Sequence, residues 1–213
     1  MGIIKRGILG GFSGKVGNIV GTSWKGRAVI KAMPLSVANP KTTKQVNQRG
    51  AMTNCVVAAK EFLGNAIPAI CSPFAGDISG YNLFVKRTIK AFDVAGGFDV
   101  EKFKISEGSL GNYLNGSVTY DISDSEVVFD LSNRELSDYN VETDLVYIVL
   151  WNNTQKKGAM VSKTVAASFV GAKMEIAAGF AEIGDNVSAV VCTKRLDNSR
   201  QSGITHFLVN VQA

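Results

Sequence analysis

Beyond residue 98, apolar residues recur at every second position, in short segments that turn residues separate. These segments read FKIS, GSVTYDI, SEVVFDL, DLVYIVLW, GAMVSKTVAA, AKMEIA, NVSAVVCTK and ITHFLVNV. A period of two is typical of β-strands, and seven or eight short strands at this spacing are typical of an antiparallel sandwich. Residues 98–213 are therefore predicted to form an immunoglobulin-like β-sandwich.

The N-terminal segment GILGGFSGKVGNIVGTSWKG is rich in glycine. Each glycine loses more conformational entropy on ordering than any other residue, so residues 1–15 are predicted to be a flexible basic arm. The apolar and β-branched residues that follow, in residues 16–33, suit a β-hairpin with its turn at Lys25-Gly26. A two-stranded ribbon is marginal in water and needs a further surface to pack on.

Two helices are predicted after the hairpin. Asn39 or Thr42 can cap the first helix, which is predicted to end near Leu63, and Gln45 three residues after Thr42 completes a capping-box pattern. Its apolar side is predicted to comprise Val46, Met52, Val56, Ala59 and Leu63. A second helix fits residues 79–92. The predicted class is α+β: an arm, a hairpin-plus-helix module over residues 16–95, and the sandwich.

Charge is distributed very unevenly along the chain. Residues 1–90 contain 13 lysines and arginines against two acidic residues, a net charge of +11, whereas residues 91–213 contain 10 against 16, a net charge of −6. The first acidic residue is Glu61. Two parts with fields of opposite sign are therefore expected, and the basic part has few partners of opposite charge near it in sequence.

The sequence does not contain a complete motif for nucleotide binding or for catalysis. A phosphate-binding loop ending at Gly14-Lys15 would need glycine at position 9 and a hydroxyl at position 16, where this chain has Leu9 and Val16. The single histidine, His206, stands in the last strand segment without a nucleophile motif. We therefore predict no cofactor, no metal ion and no enzymatic activity.

The sequence also limits the cellular compartments in which the protein is expected. The opening residues lack the uninterrupted apolar stretch of a signal peptide, and no apolar run is long enough to cross a membrane. The three cysteines are widely spaced and do not form a disulfide or zinc pattern, which favours a reducing compartment. They are Cys55, Cys71 and Cys192. No contact with a membrane is predicted.

The basic N-terminal part allows two kinds of partner. It could dock on the acidic surface of a neighbouring subunit, through Ile8, Leu9, Phe12, Lys15, Trp24, Lys25 and Arg27. Alternatively it could bind DNA or RNA, with bases stacked on Phe12 and Trp24 and with phosphates neutralised by cations. The cations of that alternative are Lys5, Arg6, Lys31, Lys41, Lys44 and Arg49.

The motifs GGFSGKVG, VGTSWKG and NPKTTKQVNQR, all within the first half of the chain, resemble those of an uncharacterised protein family of Bacteroidetes and their phages. The resemblance implies a setting in phage or mobile-element particles, names no role within them and carries no catalytic residues. The chain is therefore predicted to be a virion component, made in the host cytoplasm, that assembles with itself and with other virion proteins as a homo-oligomer. A glycan-binding module for the host surface is a further alternative, with aromatic platforms at Trp151, Tyr113 and Tyr139.

Overall fold

The structure is a computed structural model that describes residues 2–3, 11–36, 38–134, 141–165 and 169–212, with the backbone alone at Gly2, Ile3, Asn133 and Arg134. It is an α+β structure with few helices and mostly β-sheet. This class is the one predicted from the sequence. Internal contacts divide the chain into two compact units, Met1–Lys41 and Thr42–Ala213.

The first unit contains an antiparallel sheet of four strands in the order β1-β4-β3-β2. The strands are β1 (Gly2–Ile3), β2 (Gly14–Val16), β3 (Ile19–Trp24) and β4 (Arg27–Ala32). Lys25 and Gly26 join β3 to β4 with positive φ angles of 48° and 73°. Positive φ at both central residues is the signature of the type I′ turn, whose twist matches that of the flanking strands. The predicted hairpin and its turn are therefore confirmed.

Part of the segment predicted as a flexible arm belongs to this sheet. Gly2–Ile3 pairs with β4, and Gly14–Val16 pairs with β3. Backbone hydrogen bonds to a neighbouring strand hold these residues in place. The glycine-rich composition of the segment did not indicate this pairing. Residues 4–10 of the predicted arm lie outside the described residues.

Helix α1 (Thr43–Glu61) opens the second unit with the predicted capping box. The Gln45 amide donates to Thr42 Oγ1 at 3.4 Å, and the Thr42 amide donates to Gln45 Oε1 at 3.3 Å. Helix α2 (Gly80–Thr88) begins after Ser79, whose hydroxyl accepts from the Asn82 amide at 3.2 Å. Short helical turns occur at Ile67–Cys71, Ser72–Phe74, Ile89–Ala91 and Val100–Lys102.

Seven strands of the second unit form one curled sheet in the order β8-β7-β10-β11-β5-β6-β9. Neighbouring strands are antiparallel except for β11 and β5, which are parallel. The strands are β5 (Tyr113–Asp121), β6 (Glu126–Arg134), β7 (Leu145–Asn152), β8 (Lys157–Thr164), β9 (Phe169–Glu175), β10 (Val187–Lys194) and β11 (Thr205–Gln212).

Strands β7 and β10 are buried along both faces and separate two hydrophobic cores. Tyr147, Val149 and Trp151 of β7 face the helices in what we call the helix-side core. The alternate residues Val146, Ile148 and Leu150 face strands β5, β6 and β9 in the sheet-interior core. Because successive side chains of a strand point to opposite faces, one strand contributes to both cores.

The position of the helices changes the predicted domain organisation. Buried residues of α1 and α2 belong to the same core as Trp151 and Val190, so the helices pack on the seven-stranded sheet. The sequence predicted a division between residues 95 and 98, whereas contacts divide the chain after Lys41. The physical reason is that β7 and β10 are apolar on both faces, and the face that is not turned to β5, β6 and β9 is covered by the helices.

Two local predictions were wrong. The segment FKIS is not a strand, although Phe103 and Ile105 are buried in the helix-side core. Of the apolar side predicted for α1, Ala59 is buried and Val56 is half-buried, whereas the larger residues Val46 and Met52 are exposed. Leu63 is exposed as well. The other buried residues of this helix are also small, Cys55 and Ala58. Small side chains allow the helix to approach the sheet closely. A search for large apolar residues does not detect a buried helix face of this kind.

Candidate docking surface

Strand register places the cations of the first unit on one face of its sheet. In adjacent antiparallel strands, directly paired residues project from the same face. The pairing of Lys15 with Val20 and of Val20 with Lys31 makes one row across β2, β3 and β4. Pairs Thr22–Val29 and Trp24–Arg27 continue this face toward the hairpin turn. We call it the Trp24 face, defined by Lys15, Val20, Thr22, Trp24, Arg27, Val29 and Lys31.

The Trp24 face is cationic and carries an exposed aromatic ring. Lys15, Arg27 and Lys31 are exposed around the buried Val29, and 58% of the Trp24 surface is accessible. The Lys25 ammonium lies 5.2 Å from the centroid of the Trp24 ring, within the range of a cation–π interaction. The first 60 residues contain no Asp or Glu, so no carboxylate of this unit neutralises these charges.

Phe12 belongs to the opposite face of the same sheet. A Cβ atom on Gly21 would lie 2.6 Å from two carbons of the Phe12 ring, so the ring covers the backbone of β3 at this glycine. Gly21 pairs with Ile30 and not with the residues of the Trp24 face. The structure therefore separates Phe12 from Trp24, which the sequence had grouped in one surface.

The other predicted contact residues are dispersed. Ile8, Leu9, Lys5 and Arg6 lie outside the described residues. Lys41 is exposed with a φ of 48° at the end of the first unit. The two remaining cations of the nucleic-acid alternative, Lys44 and Arg49, are on α1 in the second unit. Of the residues assigned to either partner, Lys15, Trp24, Arg27 and Lys31 are brought onto one face, with Lys25 beside it.

The aromatic residues suggested for glycan binding do not form a platform. Trp151 is 1% exposed in the helix-side core, and Tyr113 is fully buried in the sheet-interior core. A stacking platform requires an accessible ring face, so neither residue can serve. Tyr139 lies outside the described residues.

The candidate catalytic groups stand in buried, structural surroundings. His206 is half-buried in β11, and burial lowers its pKa. Burial raises the pKa of the Cys71 and Cys192 thiols to about 12 and also raises that of Cys55. A thiol with a raised pKa is protonated at neutral pH and is a poor nucleophile. Across the described residues, no group of three or more His, Cys, Asp or Glu is placed to hold a metal ion.

Sequence reasoning did not identify a buried lysine. Lys194, at the end of β10, is 6% exposed, and its ammonium donates a hydrogen bond to the Ala69 carbonyl. The same ammonium lies 5.3 Å from the centroid of the Tyr147 ring. Burial lowers the pKa of Lys194. In the sequence this lysine follows a run of apolar residues and is indistinguishable from a solvated strand end.

Taken together, these features define an α+β protein with a curled antiparallel sheet and a separate cationic sheet at its N-terminus. The chain belongs to the family of unknown function DUF6266, whose model matches residues 11–200. No curated protein and no solved structure matches the chain. Within the described residues, no helix is long and apolar enough to cross a membrane.

Proposed function

We propose that this chain is a non-enzymatic structural component of a bacteriophage particle, a head, neck or tail accessory protein that assembles with copies of itself through its N-terminal sheet. The observation that carries the proposal is the Trp24 face, which combines three exposed cations with an exposed tryptophan and has no carboxylate within its own unit. The phage setting rests on the resemblance of the N-terminal motifs.

The composition of the Trp24 face supports docking on another protein. Trp and Arg are enriched among the residues that contribute most to protein–protein binding. Complementary charge steers association and selects the partner, and it acts over about 8 Å at physiological salt. The second unit contains 18 acidic residues against 16 lysines and arginines, and the acidic excess lies in residues 91–213, which carry a net charge of −6. A second copy therefore offers a surface of the required sign.

We further propose that the second unit has the immunoglobulin-like arrangement. Its strand order separates into a set of four, β8-β7-β10-β11, and a set of three, β5-β6-β9, joined by the parallel pair of β11 and β5. Sheets of three and four strands packed face to face are characteristic of immunoglobulin-like sandwiches. Side chains of both sets meet in the sheet-interior core, as Phe129 of β6 and Ile148 of β7 illustrate.

Charge reversal on the Trp24 face tests the assembly proposal. We expect the triple variant Lys15→Glu/Arg27→Glu/Lys31→Glu to lose self-association, with affinity weakened by roughly 100-fold, because attraction becomes repulsion at three contacts. Sedimentation velocity of the full-length protein over a concentration series measures the change. Raising the salt concentration should weaken the wild-type assembly in the same direction.

A matched variant controls for net charge. Lys86, Lys90 and Lys104 are exposed lysines of the second unit, so Lys86→Glu/Lys90→Glu/Lys104→Glu changes the net charge by the same amount and leaves every residue of the Trp24 face in place. This variant should assemble as the wild type does. A wild-type protein that stays monomeric at all concentrations, or a Trp24-face variant that assembles normally, contradicts the proposal.

Nucleic-acid binding is the second candidate, because an exposed tryptophan beside three cations can also stack a base and neutralise phosphates. If three phosphates are contacted, affinity for mixed-sequence single-stranded DNA should fall about 20-fold between about 50 and about 200 mM salt. A filter-binding titration at both salt concentrations measures this. Affinity that does not change with salt, or that Trp24→Ala and the triple variant leave intact, removes this candidate.

A further inference from the structure

A groove in the second unit lies between the end of α1, the edge strand β8 and the segment that follows β9. Its volume is about 460 Å³, within the range of natural binding clefts. Met160 and Phe180 contribute apolar surface, and Gly158 lets the end of α1 approach β8. Glu61 and Glu175 stand at the rim, and both are exposed. We call this site the acidic groove.

Further carboxylates lie beside the acidic groove. Glu175 pairs directly with Glu126 across strands β9 and β6, and the turn from β5 to β6 adds Asp121 and Asp124. Hydrogen bonds from Ser123 lower the pKa of Asp121, which is therefore ionised at neutral pH.

The two nearby lysines already have partners within the chain. Lys173 forms an ion pair with Glu126 at 2.9 Å, and Lys157 donates to the Gly179 carbonyl. Lys157 is one of the residues that line the groove, so the lining carries two carboxylates against one ammonium. The groove thus presents an apolar floor and a rim with an excess of negative charge.

We propose that the acidic groove receives the hairpin tip of a second copy of this chain, with Trp24 on its floor and Lys25 and Arg27 against Glu61 and Glu175. The inference rests on the proposed function and names the acceptor for the Trp24 face. Charge complementarity argues for this occupant, because the first 41 residues contain seven lysines and arginines and no acidic residue.

The hairpin tip has the chemistry that this groove requires. Trp24 ends β3 with more than half of its surface exposed, and the Lys25–Gly26 turn is a tight two-residue connection. The Lys25 ammonium is already held over the Trp24 ring at 5.2 Å. Burial of one aromatic ring with charged residues at its rim is the usual pattern of an interface centre.

Because the tip and the groove are different surfaces, the contact between two copies is heterologous. Each copy then offers one donor and one acceptor, and repetition produces a ring or an open filament. A copy with an altered tip can still accept a neighbour, and a copy with an altered groove can still donate. Mixing these two variants should therefore produce pairs that cannot extend.

The experiment compares four samples of full-length protein by sedimentation velocity and native mass spectrometry. They are the wild type, the Trp24-face variant Lys15→Glu/Arg27→Glu/Lys31→Glu, the groove variant Glu61→Lys/Glu175→Lys, and an equimolar mixture of the Trp24-face variant with Ala178→Trp, whose filled groove carries no charge that attracts the reversed tip. We expect wild-type assemblies, monomers of each variant alone, and a one-to-one dimer in the mixture. Ala178→Trp, which fills the groove from an exposed position without a change of charge, should also prevent assembly.

The outcomes separate this inference from the proposed function. If the groove variant and Ala178→Trp assemble as the wild type does while the Trp24-face variant does not, the acceptor lies elsewhere and only this inference fails. A mixture that contains only monomers overturns the inference in the same way. If the wild type is monomeric, both fail. Glu101→Lys/Glu107→Lys, which reverses two exposed carboxylates away from the groove, is the matched control and should assemble normally.

Discussion

Replacement of Trp151 by alanine is expected to lower the free energy of unfolding by about 3–5 kcal/mol. The Trp151 ring centroid lies 5.9 Å from that of Phe62, 6.2 Å from that of Phe92 and 6.3 Å from that of Phe98. Removal of the indole leaves a large cavity among three phenylalanine rings. Phe62 follows α1, and Phe92 and Phe98 lie in the segment after α2. Typical domains are stable by only about 5–15 kcal/mol, so the variant should unfold at a much lower temperature.

The second tryptophan of the chain supplies the control for that measurement. Trp24 is 58% exposed, so Trp24→Ala should change the free energy of unfolding by no more than about 0.5 kcal/mol. Urea titration followed by circular dichroism measures both variants. Equal destabilisation by the two replacements would contradict the assignment of Trp151 to the helix-side core.

The buried thiols are expected to destabilise the protein in alkali. Burial raises the pKa of Cys71 and Cys192 from an ordinary value of 9.0 to about 12. Above pH 9 the unfolded chain releases these protons while the folded chain keeps them, so the folded state binds more protons and stability falls as pH rises. Each thiol contributes about 1.4 kcal/mol per pH unit in this window. From pH 9 to about pH 11, the pair should lower the free energy of unfolding by roughly 3–5 kcal/mol.

Other groups titrate in the same range, so the effect is measured as a difference between proteins. The lowered pKa of Lys194 acts in the opposite direction, because the unfolded chain keeps that proton to higher pH than the folded chain. Cys71→Ala/Cys192→Ala removes both thiols and leaves Lys194 in place. Its stability at neutral pH should be lower, but its slope against pH in urea titrations should be shallower than that of the wild type. Parallel slopes would contradict the effect of burial on the two thiols.

Local patterns in the sequence predicted many elements of the fold. The capping box at Thr42 and the turn at Lys25-Gly26 depend on residues that are neighbours in the chain, and both are present. The strands from β5 to β11 overlap the short apolar segments identified in the sequence, although β7 and β10 are apolar on both faces. The segment around Phe103 met the same criterion without forming a strand, because alternate residues can also be buried in irregular structure where helices cover them.

The candidate docking surface could be predicted only in part. The cations and Trp24 were identified because charged and aromatic residue types can be read directly from the sequence. The grouping of Phe12 with Trp24 was wrong for a geometric reason, since the register of β3 and β4 puts Gly21 and Trp24 on opposite faces. The acidic groove was not found, because Glu61, Gly158 and Glu175 are far apart in sequence and no periodicity links them.

The sequence alone determined the class of the protein, the approximate positions of the strands of the second unit and of the hairpin turn, the capping box of its first helix and the separation of its charge. These properties follow from interactions between residues a few positions apart. Only the tertiary structure decided that the helices pack on β7 and β10, that Trp151 is a core residue, and that Lys15, Trp24, Arg27 and Lys31 share one face. Those outcomes depend on strand register and on packing between segments that are distant in the chain. Such packing is favoured where it buries the most apolar surface.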